Sequence, residues 1–459
     1  MTPRLTRHAL AGLPAAVRRP DYDFLNLGTG IVHLGIGAFH RAHQALYTED
    51  AIRVGGGDWG ILGVSLRHAT VADALAAQDG LYTVETLGFE ADYRVVAAIR
   101  ASLCALTDGA RLLAAIAAPR THIVTLTVTE KGYCLGSDGT LDFSHSDIAH
   151  DLLHPDEPHS AIAWLVRGLA TRYQAHGAPI TAISCDNLQA NGAKLCAAVT
   201  AFAQRSRPEM LPWLRDNVAF PVSVVNCIVP AATEASRARV SAAIGLQDMA
   251  CVQRDVYSQW VIENRFAGPR PAWDGVGVQI VEDVSHYSQL KLHVLNACHS
   301  ALAYLGLPRG YCYVREAIAD PELAQFLENL VSVEIAPALK GIPVLDYWRT
   351  VRTRFLNPRI DHRLSQIAED GSVKLAQRIF PLLIANAGAG IPVRGLSRIV
   401  RGWLELAAAG CIKDPHQELL ATWSRAGADL QSALDDPMLF PPPIRSNAML
   451  RASIVNAAS

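Results

Sequence analysis

At 459 residues, half of them hydrophobic and 18% charged, the chain suits a well-packed globular protein of two or three domains and not a disordered one. Its formal net charge of −2 gives no electrostatic ground for a nucleic-acid or membrane-surface partner. No apolar run approaches the roughly 18–20 residues that span a bilayer, and nine scattered cysteines, none in a Cys-x-x-Cys pair, point to free thiols in a reducing cytoplasm.

From the N-terminus, residues 1–20 hold several arginines and no acid before Pro20. Pro3, Pro14 and Pro20 would break an amphipathic targeting helix, so the stretch reads as an irregular lead-in. Residues 30–37 read as a strand entering a glycine turn, and 42–54 as the helix after it. The turn, Gly35-Ile-Gly37-Ala38-Phe39-His40, keeps two of the three glycines of a dinucleotide-binding turn. Gly35 permits the bend, Gly37 lets the backbone approach a pyrophosphate at the helix N-terminus, and His40 stands in for the third. His40 and His43 have a spacing that could seat a metal, but no acid or cysteine completes a ligand set; helix-capping or phosphate-facing roles are expected instead, and no metal.

Residues 60–66 read as a second strand. A carboxylate usually ends it and binds the ribose; here the chain runs Leu66-Arg67-His68, with no acid before Asp73. Arg67 or His68 could tolerate a 2′-phosphate or merely cap a loop, so NAD and NADP both stay open. Residues 71–77 read as a short helix, and 81–85 and 93–99 as extended runs. Residues 122–129, nearly continuous in β-branched side chains, read as a strand buried on both faces of a parallel sheet, and 180–184 repeats the type. The alternation predicts an α/β fold, a Rossmann-type doubly wound domain over residues 1–284. Thr129-Glu130 and Asp186-Asn187 follow two of these strands at their carboxyl ends, where such sheets bind ligands, although Asp186 or Asn187 could equally cap the next helix.

Beyond residue 284 the pattern turns helical. Residues 290–305, 321–335, 344–355 and 396–409 read as helices punctuated by Pro343, Pro358, Pro392, Pro415 and prolines 441–443, giving a mostly α-helical second domain over 285–459. Its first helix sets Lys291, Asn296 and His299 within nine residues of an otherwise apolar segment. At about 100° per residue, Asn296 lies roughly 140° and His299 roughly 80° around from Lys291, one broad face. Only six of the 41 basic residues are lysines. Burial would lower the pKa of such a lysine and fit it for general-base work near neutrality. The alternative is a partly exposed helix whose lysine snorkels to water.

Six ordered motifs carry a resemblance. They are Gly-Ile-Gly-Ala-Phe-His-Arg-Ala-His-Gln (35–44), Thr-Val-Thr-Glu-Lys-Gly-Tyr (127–133), Ser-Cys-Asp-Asn-Leu-Gln-Ala-Asn-Gly (184–192), Gln-Trp-Val-Ile-Glu (259–263), the spaced set Lys291, Asn296, His299, and Asp-Gly-Ser-Val-Lys (370–374). From about residue 31 to at least 378 the chain resembles the mannitol dehydrogenase family, which includes mannitol 2-dehydrogenase, arabinitol 4-dehydrogenase and the fructuronate and tagaturonate reductases. The resemblance implies metal-independent hydride transfer with NAD, NADP being possible, at a site in an interdomain cleft. It implies Lys291 as the base, Asn187 and Asn296 as the amides of an oxyanion hole, His299 as a substrate-orienting group and Lys374 as a substrate contact. The cofactor is expected on Gly35, Gly37, Ala38, Phe39, His40, Arg67, Thr129 and Glu130.

The chain departs from the family pattern at Asn226-Cys227, where Asp-Arg is usual. It departs again at Ser288-Gln289, where glutamates often precede the lysine helix and the first is associated with a proton path in mannitol dehydrogenases. Gln366, where the mannitol branch tends to carry arginine, and Glu-Lys-Gly-Tyr (130–133) resemble the uronate-reductase branch. Lys374 with Arg363 or Arg378 could pair with a sugar-acid carboxylate. The expected reaction is reduction of a keto-uronate such as fructuronate, that is, a mannonate oxidoreductase. A mannitol 2-dehydrogenase or other polyol (arabinitol, sorbitol) dehydrogenase is the alternative, and a non-catalytic cofactor-binding protein is the rival of a different class. A cytoplasmic monomer or weak homo-oligomer acting on a small molecule is expected, with no nucleic-acid or membrane partner.

Overall fold

The computed structural model describes residues 2–88, 90–425 and 430–457. The chain forms two compact units, Met1–Val284 and Ser285–Ser459.

The first unit is built on six strands, β1 (Thr29–Leu34), β2 (Gly60–Ser65), β3 (Ile99–Cys104), β4 (Ile123–Leu126), β5 (Ile180–Ser184) and β6 (Val218–Ala219). They lie in the order β3-β2-β1-β4-β5-β6 and every pair is parallel. This is the doubly wound dinucleotide-binding order, whose direction of winding reverses between β1 and β4. The period-2 side-chain alternation feeds two cores. Val32, Leu34, Leu62, Val64, Val124 and Leu126 pack on one face with residues of helices Ala105–Ala117, Ala161–Ala175 and Asn191–Ser206. Ile31, Ile61, Ile99, Ile123 and Ile183 pack on the other, with Ile52, Trp260 and Trp273. Burial on both faces explains why β4 reads as an unbroken β-branched run.

Two readings are corrected. The helix expected over 42–54 starts earlier and is broken: α1 (Ala38–Ala42) ends at His43, whose φ/ψ of −132°/−84° are not helical, and α2 (Gln44–Gly55) resumes beyond it. The extended run expected over 93–99 is the end of one strand and the start of another. Ala91–Val96 pairs antiparallel with Tyr82–Leu87 in a separate four-stranded sheet, and Ile99 begins β3. Only Ala97 and Ala98 lie between them, and neither is a turn former. A third sheet pairs Ser223–Asn226 antiparallel with Gln259–Glu263.

The second unit is helical. Helix Ala297–Gly306 is buried along its whole length and anchors a core that includes Trp348, Leu364, Phe380 and Trp403. The helix expected over 290–305 arrives in three consecutive pieces: α-helix Ser285–Gln289, a π-helical stretch Leu290–Asn296, and then Ala297–Gly306. The helix expected over 321–335 also passes into a π turn, at Leu330–Ile335. Among the described residues no helix is long and apolar enough to cross a membrane.

Candidate active site

In the first unit the glycine turn joins β1 to α1. Gly35 has φ +96°, and a Cβ there would run into the Thr127 carbonyl oxygen at the end of β4. Only glycine fits both conditions. Gly37 differs: its φ is −75°, it is exposed, and the nearest atom to a Cβ would be the Gly35 oxygen at 3.8 Å. The fold itself does not require glycine there. His33, fully buried, braces the turn from below. Its Nδ1 lies 2.7 Å from Thr125 Oγ1, and its Nε2 lies 3.0 Å from the Gly35 oxygen and 2.9 Å from Thr127 Oγ1. The His40 ring stacks on it with centroids 3.4 Å apart and is itself buried, so its side chain lies beneath the turn. Arg41, also buried, donates from Nε to the Gly37 oxygen at 3.2 Å. Ala38 and Phe39 are half-buried at the start of α1.

At the end of β4 the backbone turns through Thr129, a non-glycine residue with φ +65°. Asp186 holds that conformation. Its carboxylate accepts from the backbone N–H of Val128 at 3.0 Å and of Thr129 at 2.8 Å, and from the Tyr133 hydroxyl at 2.7 Å. Burial pushes the Asp186 carboxyl up despite those donors. Asp186 therefore clamps the preceding loop and does not cap the following helix. Asn191 performs the matching task on the other side. Its Nδ2 donates to the oxygens of Ser184, Asp186 and Ser223 at 3.0–3.2 Å, and its Oδ1 accepts from Ser223 N at 2.9 Å. Gly192 is required because a Cβ would lie 2.5 Å from the Pro221 oxygen. Between these two anchors Asn187 stands exposed, and Glu130 is exposed beside Thr129.

Arg67, beyond β2, forms an ion pair with Asp147. The carboxylate missing from the end of β2 is thus present near it, supplied by a later helix. Asp147 also belongs to a grouping with Cys134 and His145, and His150, Asp151 and His159 form another, whose ligand atoms are close enough for a metal ion. Asp151 is engaged by the backbone N–H groups of His159 and Ser160 at 2.6 and 2.9 Å. Neither grouping contains His40 or His43.

In the second unit the π stretch changes the expected geometry. A π turn bonds residue i to i+5, so residues five apart stack on one face. Lys291 and Asn296 are five apart, and they stand closer in azimuth than the α-helical 140° expected from sequence; both are half-buried. Arg378 secures the widened turn, donating to Ser300 Oγ at 3.0 Å and to the Asn296 oxygen at 3.5 Å, while its own carbonyl oxygen lies 3.1 Å from His293 Nδ1. His299 is buried. Its ring lies 4.5 Å from that of Phe355 and 4.9 Å, edge-on, from that of His362, and its Nε2 has no hydrogen-bond partner among the described residues.

The Asp370–Lys374 motif is built to place Lys374. Asp370 takes φ +55°, a Cβ on Gly371 would collide with Trp403, and Ser372 is anchored on Asp414 through its N–H (2.8 Å) and hydroxyl (2.6 Å). Lys374, half-buried, donates to the Ile367 oxygen at 3.2 Å. Arg363 is exposed, its guanidinium 5.4 Å from the Tyr313 ring. His362, Arg354 and Phe355 were not indicated by sequence. They lie more than 50 residues from His299, and no local spacing could have linked them to it.

Burial disfavours the charged form of several imidazoles. Desolvation holds His33 down to about 3 and, helped by the Arg354 and Lys374 charges, His362 to about 4; it also lowers His40, His293 and His299. Unfolded, each would take a proton near pH 6.5, whereas folded its pKa lies below that. Acidification below about pH 6.5 therefore favours the unfolded chain, by roughly 1.4 kcal/mol per pH unit for each such group. Thermal melts should show Tm falling steadily from pH 7 to pH 5; a flat Tm would contradict the neutral assignment.

Comparison with known proteins decides the family. The family model for the mannitol dehydrogenase Rossmann domain matches residues 29–275, and that for the mannitol dehydrogenase C-terminal domain matches 283–458. The chain belongs to the mannitol dehydrogenase family. It is 38% identical to the D-mannonate oxidoreductase of Escherichia coli (strain K12), over 92% of this chain and 89% of that protein. It is 37% identical to the mannitol 2-dehydrogenase of Phaeosphaeria nodorum, over 95% of this chain and 80% of that protein. The mannitol 2-dehydrogenase of Pseudomonas fluorescens, solved as a ternary complex with NAD and D-mannitol, superposes with a TM-score of 0.87 at 32% identity, covering 99% of this chain and 96% of that one. As a mannitol dehydrogenase family member the chain is an oxidoreductase, with a doubly wound nucleotide-binding sheet and a helical C-terminal region.

Proposed function

We propose that this protein is a cytoplasmic NAD-dependent reductase of a keto-uronate of the fructuronate type, forming the aldonate reversibly. The observation that carries the reading is the charge around His299. The Arg354 and Arg378 cations act on its imidazole, and those of Arg354 and Lys374 act on His362. Surroundings so charged suit an anion better than a neutral polyol, because charge-assisted bonds to a carboxylate are the stronger kind. Nine free cysteines support a reducing compartment.

The turn at Gly35 and Gly37 fits a dinucleotide pyrophosphate, since a Cβ on Gly37 would fill the space the ligand needs and meets nothing else. NAD, when bound, accepts or supplies the hydride. Lys291 takes the proton from the substrate hydroxyl in the oxidative direction and returns it in the reductive one. The amides of Asn187 and Asn296 donate to the oxygen as its charge develops. His299 orients the substrate, and Lys374 contacts its acidic end. The Arg67–Asp147 pair favours NAD: Asp147 balances the Arg67 cation that a 2′-phosphate would use.

Initial rates with fructuronate, tagaturonate, fructose, mannitol and arabinitol, each with NAD(H) and NADP(H), test the reading. A keto-uronate should exceed fructose in kcat/KM by about tenfold or more, the effect of one charge-assisted contact of at least roughly 1.4 kcal/mol. Preference for fructose or mannitol would favour the polyol reading, which the likeness to a mannitol 2-dehydrogenase solved with D-mannitol supports. NADH binding without turnover of any of them would point to a non-catalytic protein.

A further inference from the structure

We propose that His362 is a second substrate-binding imidazole, which with His299 grips two oxygens of the sugar acid and sets specificity for the acid. This rests on the keto-uronate reading. The backbone fixes where His362 points. Tyr313 and Arg363 form an antiparallel bridge, Val314 N–H donates to the His362 oxygen at 3.0 Å, and Leu364 N–H donates to the Cys312 oxygen at 2.9 Å. Successive side chains of such an extended segment point to opposite sides. Asp361 and Arg363 are exposed, the first bonded to Arg315 at 3.0 Å and the second lying over Tyr313. His362, between them, turns the other way and meets the His299 ring at 4.9 Å, 77° out of parallel.

The two rings share an unmet requirement. His299 Nε2 and His362 Nδ1 are both buried without a hydrogen-bond partner among the described residues. Buried polar nitrogens are nearly always satisfied, and an exception calls for a missing partner such as a ligand or a water. Two neutral imidazoles together offer donors and acceptors at both rings, which matches a hydroxyl and a neighbouring carboxylate or hydroxyl oxygen. The Phe355 ring lies against His299, with centroids 4.5 Å apart. The charges of Arg354, Arg378 and Lys374 act on the two imidazoles and favour an anion beside them.

The test uses the full chain with His362→Phe, which keeps a ring against His299 but removes both nitrogens, and His362→Asn, which restores a donor and an acceptor. NADH affinity, read by fluorescence, and Tm should match the unmutated protein in both. His362→Phe should raise KM for the keto-uronate by about 10–100-fold with kcat changed far less, and His362→Asn should recover most of that loss. If KM is unchanged in His362→Phe for every substrate the unmutated enzyme accepts, or if kcat falls while KM holds, the inference is overturned. Failure of the keto-uronate reading looks different: the unmutated protein would then prefer a polyol or ketose. In that event an unchanged KM for that substrate in His362→Phe refutes a binding role, and a raised one keeps His362 as a substrate contact while removing its link to acid specificity. If the unmutated protein turns over nothing, D-mannonate titrated into the NADH complex decides: affinity lost in His362→Phe supports the contact, and affinity retained refutes it.

Discussion

Lys291→Ala should lower kcat by roughly 10²–10⁴-fold, the range that a positioned acid–base group contributes, while NADH affinity stays within error. The expectation combines composition with backbone geometry. Lysine is rare in this chain, and this one opens a π turn that carries Asn296 five residues on, with buried His299 a further three residues along. π turns inside helices are frequent at functional sites, and this one is held by Arg378, which donates to the Asn296 oxygen. Lys291→Arg separates the two things a lysine could do there. Arginine keeps the positive charge but does not give up its proton at any ordinary pH. If Lys291 transfers a proton, Arg should fail nearly as badly as Ala. If it only stabilises negative charge, Arg should retain much of the rate. Full activity in Lys291→Ala would remove the residue from the mechanism altogether.

What could be read from sequence followed physical regularity. The glycine turn and β4 were legible because the pattern is local and strong, a bend needing left-handed backbone in one case and burial on both faces in the other. β3 was missed as a separate strand because two alanines are all that mark the change of sheet. The break at His43 carried no proline or glycine. The π stretch was invisible because an apolar run reads the same at either pitch, and the azimuths derived from α geometry were therefore too wide for Lys291 and Asn296.

The same division holds within the candidate site. Candidates named from short motifs sit beside residues that brace the backbone: Asn187 lies between Asp186 and Asn191, and Lys374 lies on helix Gly371–Arg378 behind the anchored Ser372. Asp186 was read as a site candidate or a cap, since a carboxylate after a strand has the same local signature in either role. Asp186 proves to bind backward, to the loop after β4. Arg378 was expected on the substrate and is spent at least partly on the turn that carries Asn296. Arg354 and His362 reach His299 only through the tertiary fold, and one sequence carries no information on such pairs.

Gly35→Ala and Gly37→Ala, two residues apart, should fail in different ways. At position 35 an alanine must adopt φ near +96°, and its Cβ must displace the Thr127 carbonyl. The left-handed backbone alone costs about 1–2 kcal/mol, and the overlap adds to it. Thr127 cannot yield cheaply: its N–H donates to the Leu34 oxygen at 3.0 Å, and its hydroxyl lies within hydrogen-bond reach of the Gly35 oxygen and His33. A total of about 2–4 kcal/mol should lower Tm by on the order of 10 °C and weaken NADH binding because the turn itself has moved. At position 37 φ is −75° and the new methyl group meets no atom closer than 3.8 Å. Tm should hardly change. NADH affinity should nevertheless fall by about tenfold or more, roughly 1.4 kcal/mol, because the methyl group occupies the space assigned to the pyrophosphate. A Gly37→Ala protein that binds NADH as well as the unmutated chain would place the phosphates elsewhere, however badly Gly35→Ala behaves. Only the contrast between the two separates a turn that must be glycine to fold from a turn that must be glycine to bind.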